Sequence, residues 1–200
     1  MRWVRGVAAC MGKAAAVLRR DRSGSTLVEF AVSLPLLLSL YLGGYVISDA
    51  IACNRKLTIA TRSAADLASR NASLTTAQLS SILNATAQVM GTYYNSNTVI
   101  TVSEVQVATA TTATVIWSQS MNGTARTANS TITLPTGMTT STMIPAAANG
   151  STPAVTGAYF LLAESSYTYH PAIGWQSMTS FPLADSIYMV PRYSNSVPLS

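Results

Sequence analysis

Apolar positions along this chain follow three rhythms in turn. From Leu27 to Ile47 they are nearly continuous, broken by polar or bending residues at Glu29, Ser33, Pro35 and Ser39 and by the pair Gly43-Gly44. At 1.5 Å per residue such a run, as a helix, covers roughly 30 Å, the thickness of a bilayer's hydrocarbon. From Asp49 onward Ala50, Cys53, Leu57, Ala60, Ala64 and Leu67 recur at alternating steps of three and four, a narrow seam of mostly small residues. Neither Gly nor Pro occurs from 45 to 90, so one helix from about Ser25 to about Ser69 is predicted, with i,i+4 pairs Arg62–Asp66 and Asp66–Arg70 on its wet side. The seam reads either as core for the chain's own domain or as a surface for another helix.

A second helix is predicted from a cap at Thr75 or Thr76 to about Tyr93. Leu79, Ile82, Leu83 and Val89–Met90 lie on one face, and Gly91 and Asn95 end it. The rhythm then shortens to two. Thr98–Val107 is dense in valine, 108–111 reads as a turn, and Thr112–Gln119 alternates with Ala113, Val115 and Trp117 on one face. Further strands are predicted at Gly157–Tyr169 and Asp185–Arg192, with a possible short one at Ser130–Leu134. Helices followed by adjacent strands give an α+β class: a long N-terminal transmembrane helix continuing into an exported domain, with a second helix and an antiparallel sheet of about four strands. The Thr/Ser-rich segment 119–153 lacks periodicity and reads as a long surface loop.

Charge sharpens this picture. The net charge is +5, and it is confined to one end. Residues 1–24 carry Arg2, Arg5, Lys13, Arg19, Arg20 and Arg22 against Asp21, whereas residues 25–200 carry equal numbers of basic and acidic groups. A nucleic-acid surface needs its basic residues on the folded part, so that partner is not expected. Basic residues ahead of an apolar run instead keep that flank in the cytoplasm and send the remainder outward. Cys10 and Cys53 flank the run from opposite sides, which speaks against a disulfide between them.

The junction between basic flank and apolar run is the most specific feature. A carboxylate inside an apolar segment is costly and usually has a role, and Glu29 stands near the start of this one. Taken alone, Glu29 reads either as a snorkelling carboxylate favoured by the helix dipole or as half of a charge pair. The run Arg19-Arg20-Asp21-Arg22-Ser23-Gly24-Ser25-Thr26-Leu27-Val28-Glu29-Phe30 resembles the processing region of type IV prepilins, and more closely that of TadE-like minor pseudopilins of tight-adherence pilus systems. The resemblance extends over most of 19–193, through the second helix, the Trp117 strand, Ser165–Pro171 and Ser186–Arg192. It implies cleavage between Gly24 and Ser25 by a prepilin peptidase, which is a membrane aspartyl peptidase. Glu29 and Phe30 become the fifth and sixth residues of the mature chain. Glu29 would then pair with a new ammonium, its own or a neighbour's, lowering the cost of burying both. The cluster Arg19, Arg20 and Arg22 would hold the site at an anionic membrane surface.

The implied organisation is a cleaved leader over 1–24, a transmembrane helix over 25–48, a helical spine and second helix over 49–95, and a periplasmic sheet region over 96–200. The implied setting is the bacterial inner membrane or an extracellular pilus, with other pseudopilins and pilus assembly proteins as partners. Loop 119–153 is longer than a compact pilin needs.

Catalytic chemistry is not expected. His170 is the one histidine and reads as a structural, hydrogen-bonded residue. No metal-ligand spacing, phosphate loop or nucleophile elbow occurs. Glu104 and Glu164 read as edge or rim charges. The expectation is therefore a pseudopilin with no cofactor, metal or small-molecule substrate. The competing expectation is an unprocessed, single-pass envelope protein whose exported domain binds a partner, and an enzyme with a dispersed site comes last.

Overall fold

The computed structural model describes residues 23–93, 96–135, 157–171 and 180–200. The basic cluster of the leader, with Arg19, Arg20 and Arg22, lies outside them, as does 136–156 of the expected loop. The chain divides into two units with the boundary between Ile47 and Ser48.

Helix α1 runs over Ser23–Ser69 and contains Pro35, as the unbroken apolar and seam patterns predict. In the first unit its side chains from Thr26 to Tyr41 are exposed. An 18-residue window there is strongly apolar and wholly unburied, so α1 has the length and composition of a membrane span. Pro35 cannot donate to the helix ladder, and four residues further on Ser39 Oγ donates to the Leu36 carbonyl at 2.8 Å.

In the second unit the same helix buries one stripe. Cys53, Leu57, Ala60, Thr61, Ala64, Ala65 and Ala68 are fully buried. The predicted seam holds from Cys53 to Ala64 and then turns: Leu67 is exposed, and Ala65 and Ala68 take its place. A straight helix drifts about 20° per heptad against a strict seven-residue repeat, which rotates Leu67 off the buried face.

Helix α2 covers Thr76–Ala87. Thr75 caps it: its hydroxyl accepts from the Gln78 N–H at 3.2 Å, and Gln78 Oε1 accepts from the Thr75 N–H at 2.9 Å. This reciprocal pair satisfies two donors that the first turn otherwise leaves bare. A 3-10 segment follows over Gln88–Tyr93, broken at Gly91, whose φ of 57° suits glycine.

Five strands form one antiparallel sheet in the order β3-β2-β1-β4-β5. They are β1 (Val99–Val107), β2 (Thr112–Met121), β3 (Thr131–Thr133), β4 (Tyr159–Tyr169) and β5 (Phe181–Met189). The short strand at 131–133 makes five where about four were expected. The last strand starts four residues before its predicted Asp185 and takes in Pro182, which an edge strand tolerates because one side of its ladder is open.

Both sheet faces carry core. On one, Ile100, Val102, Trp117, Leu161 and Ala163 pack with the alanines of α1, with Leu79, Leu83 and Ala87 of α2, and with Leu74 and Val197. On the other, Val105, Val107, Ala113, Val115, Ile132, Leu134, Phe160 and Leu162 form a second cluster. This departs from the single buried face expected for β2. The cause is a bulge: Glu104 pairs with Trp117, but Val105 pairs with Val115, leaving Ile116 as the extra residue. One inserted residue reverses the facing of all that follows, so Trp117 joins the helix-side core while Ala113 and Val115 join the other.

The start of the expected loop 119–153 is also ordered. Gln119–Met121 is still strand, and the chain turns at Asn122 (φ 57°) and Asn129 (φ 63°). It then returns along β2, where the Asn129 N–H donates to the Val115 carbonyl at 2.7 Å and the Val115 N–H to the Ser130 carbonyl at 2.9 Å.

Candidate functional site

Helix α1 places all the sequence-predicted site residues that are described at its N-terminal end. Gly24 and Ser25 lie in the first turn and Glu29 and Phe30 in the second. Glu29 is exposed, Phe30 is 63% exposed, and a Cβ built on Gly24 would meet nothing within 4 Å. Gly24 thus has open space around it, and the backbone at 24–25 is helical.

Three polar arrangements in the second unit were not anticipated. The first lies just beyond the apolar half of α1. Asp49 accepts hydrogen bonds from Tyr169 Oη at 2.6 Å and from Tyr93 Oη. Those two bonds, that from Tyr169 first, hold the Asp49 carboxyl below its usual range, with a smaller contribution from Lys56. Lys56 Nζ sits 5.0 Å from the centre of the Tyr93 ring, a favourable placement for a cation over an aromatic face. Burial, then Asp49, pushes the Tyr169 phenol up. Cys53, fully buried one turn along α1, is raised to about 11 by burial and by Asp49, so it is an inert thiol at neutral pH.

The second arrangement corrects the reading of Glu104 as a rim charge. Glu104 is 1% exposed in the central strand. It accepts from Trp117 Nε1 at 3.0 Å and from the Val197 N–H. Trp117 Nε1 also donates to the Val197 carbonyl at 2.8 Å. Burial raises the carboxyl's pKa, and the two hydrogen bonds partly offset it. An isolated glutamate in a valine-rich strand gives no sequence signal of this. The nearest hint is the Trp117 indole on the adjacent strand, since a buried indole needs an acceptor.

The third lies on the opposite face of the sheet. Arg126 Nε and Nη2 each reach a Glu164 oxygen at 2.6 Å, so Glu164 is an inner-strand, paired carboxylate rather than an edge charge. Beside it Val99, Thr101, Glu164, Ser166, Ala184 and Ser186 border an open recess of about 490 Å³. His170 is exposed at the end of β4, not held in the interior. Among the described residues no three or more His, Cys, Asp or Glu gather as they would around a metal ion.

The second unit thus offers buried tethers and a polar sheet face, and the first an exposed apolar helix. No family model, curated protein or solved structure matches the chain.

Proposed function

We propose that this is a single-pass, membrane-anchored envelope protein whose Ser48–Ser200 unit is exported to engage a partner. One observation carries the reading: the apolar half of α1 is unburied over a full membrane-spanning window, while the same helix beyond Ser48 buries its stripe against a folded sheet. Leaving that much apolar side chain in water would cost roughly 1.5–3 kcal/mol per large residue, and hydrocarbon removes the cost. The excess of basic residues before Ser25 sets the orientation, N-terminus in the cytoplasm. A reporter enzyme that works only outside the cytoplasm, fused after Ser200, should be active and should stay with alkali-washed membranes. An inactive fusion, or release by the wash, would sink the reading.

A narrower reading is favoured by the residues around Gly24. It is that of a TadE-like minor pseudopilin, cut between Gly24 and Ser25 by a prepilin peptidase and assembled with other pseudopilins in the bacterial inner membrane or a pilus. Glu29 serves there as the partner of a new ammonium. N-terminal sequencing of the protein from its native membrane should then begin at Ser25. An intact Met1 in cells that hold an active peptidase leaves only the broader reading.

A further inference from the structure

The segment that follows β5 is bound to the domain as a ligand would be. Its backbone, more than its side chains, makes the contacts. The N–H of Val197 goes to the Glu104 carboxylate, and the Val197 carbonyl takes the Trp117 indole proton at 2.8 Å. Two residues on, it meets the α1–α2 connection in an isolated parallel bridge between Leu74 and Leu199. The Leu74 N–H donates to the Pro198 carbonyl at 3.0 Å, the Ser200 N–H to the Leu74 carbonyl at 2.9 Å, and the Thr76 N–H to the Ser200 carbonyl at 3.0 Å. Within 194–200 only Val197 is buried. Leu199 packs partly against the same cluster, while Tyr193, Asn195 and Pro198 are exposed. Main-chain bonds with one anchoring pocket are the hallmark of strand-addition peptide sites.

We propose that Glu104, Trp117 and the Leu74–Thr76 backbone form a peptide-binding slot that residues 194–200 fill in cis as a separable strap. The occupant is an extended segment of this chain's own sequence, Val-Pro-Leu-Ser preceded by a polar residue. The same segment of a second copy meets the same chemistry. Glu104 and Trp117 bracket one residue: the carboxylate accepts from the Val197 N–H and the indole donates to Val197's own carbonyl, and since a carboxylate only accepts and an indole N–H only donates, the pair fixes the polarity of the bound chain. The β1–β2 and β1–β4 ladders and the Thr75–Gln78 capping box use no atom of the strap, so lifting it frees the Thr76 N–H at the exposed start of α2 and leaves the sheet's own bonding in place.

The test uses the full chain in detergent with residues 196–200 deleted, and a fluorescein-labelled peptide of residues 191–200. Saturable anisotropy is expected with the deleted chain. With the intact chain binding should be about a hundredfold weaker or more, because a tethered strap competes at millimolar effective concentration. A peptide carrying Val197→Asp should not bind the deleted chain. Equal binding to both chains, or none to a deleted chain whose circular dichroism remains native, overturns the proposal. If the deleted chain does not fold, Val197→Gly at full length takes its place with the same expected outcome. Failure of that variant to fold overturns the proposal too, since the segment is then core and not a strap. Glu104→Gln should weaken peptide binding to the deleted chain at least about tenfold, because a buried amide offers a donor where the carboxylate accepts; unchanged affinity would remove Glu104 from the slot.

Discussion

The two halves of α1 are built from the same backbone and opposite side-chain rules. Before Ser48 the apolar side chains are large and almost all exposed, among them Leu36, Leu40, Tyr41 and Ile47. Beyond it the buried stripe is mostly alanine, and the large residues Ile51 and Ile59 point outward at about half exposure. The difference follows from what solvates each half. Hydrocarbon accepts bulky side chains in every direction and asks for no fit. A sheet packed on a helix accepts small ones on one narrow face, and fit decides the energy. Helix continuity therefore says nothing about shared environment, and size on the buried face reveals more than hydrophobicity.

The sharpest way to break this comparison is one truncation in each half. Leu57 is fully buried and Leu37 is 60% exposed. Leu57→Ala should destabilise the Ser48–Ser200 unit by about 2–5 kcal/mol, as core Leu truncations do. Leu37→Ala should leave that unit's stability within about 0.5 kcal/mol. Thermal or denaturant unfolding of the detergent-solubilised protein reads both. Equal effects would mean that the apolar half is also packed, and the membrane reading of it would fail.

A reciprocal change sharpens the point from the packing side. Ala64→Leu enlarges the stripe where α1 meets the sheet core, and overpacking of that kind costs about 1–3 kcal/mol. Ala31→Leu, on the exposed half, should cost the exported unit nothing measurable. If Ala64→Leu stabilises, the stripe is not tightly packed and the size argument is wrong.

How far the sequence discloses this organisation depends on what period each part obeys. The long helix, the Thr75 cap and the first strands are legible because their apolar spacing continues for many residues. The seam is read one position too far, to Leu67, since a strict heptad ignores the slow rotation of a straight helix. The β2 faces are misassigned after Val115 because a bulge is a register event between two strands, and a single strand's alternation does not encode it. Glu104 is misjudged for a related reason: its burial depends on Val197, which is 93 residues away along the chain. The same holds for Asp49, whose partners Tyr93 and Tyr169 come from two other elements. At the N-terminal end the reverse applies. The resemblance at Gly24, Glu29 and Phe30 is carried by the sequence alone, while the helix merely displays those residues.

The two unanticipated carboxylates give opposite pH signatures within the second unit. Asp49's carboxyl is lowered in the folded state by its tyrosine bonds. The stability it contributes is complete above the unfolded value of about 3.9 and is lost as pH falls through the folded one. Glu104's carboxyl is raised by burial. The folded state then holds that proton more tightly, so stability is greatest below the unfolded value of about 4.3 and declines as pH rises through the raised folded one. Asp49→Asn should cost about 1–2 kcal/mol at neutral pH, in line with hydrogen bonds to a charged group that is partly exposed, and should remove the acid-side loss. Glu104→Gln should flatten the decline on the other side. Denaturation midpoints from about pH 2 to 8, a range that brackets both reference values, would show both slopes. If Asp49→Asn leaves the acid limb unchanged, the tyrosine clasp does not hold the first exported turn of α1.

The smallest effect is expected on the wet side of the same helix. Asp66 meets Arg70 at 2.6 Å, one of the two i,i+4 pairs the spacing predicts, and Arg192 at 2.6 Å in place of Arg62, the other. Arg192 comes from the segment after β5, whose N–H also donates to the Ser69 carbonyl at 2.9 Å, so Asp66 is where the buried stripe's outer flank meets the rest of the unit. Both arginines are about half exposed, at 55% and 52%. Exposed pairs of this kind contribute about 0–1 kcal/mol and are screened by salt. Asp66→Asn should therefore cost no more than about 1 kcal/mol, against the several expected for Leu57→Ala on the opposite face, and the cost should shrink between 0.05 and 1 M salt, a range over which the screening length falls from above to well below about 10 Å. A larger, salt-insensitive loss would mean that Asp66 works as a buried tether like Asp49. The contrast between a packed face and a solvated face on the exported half of α1 would then have to be redrawn.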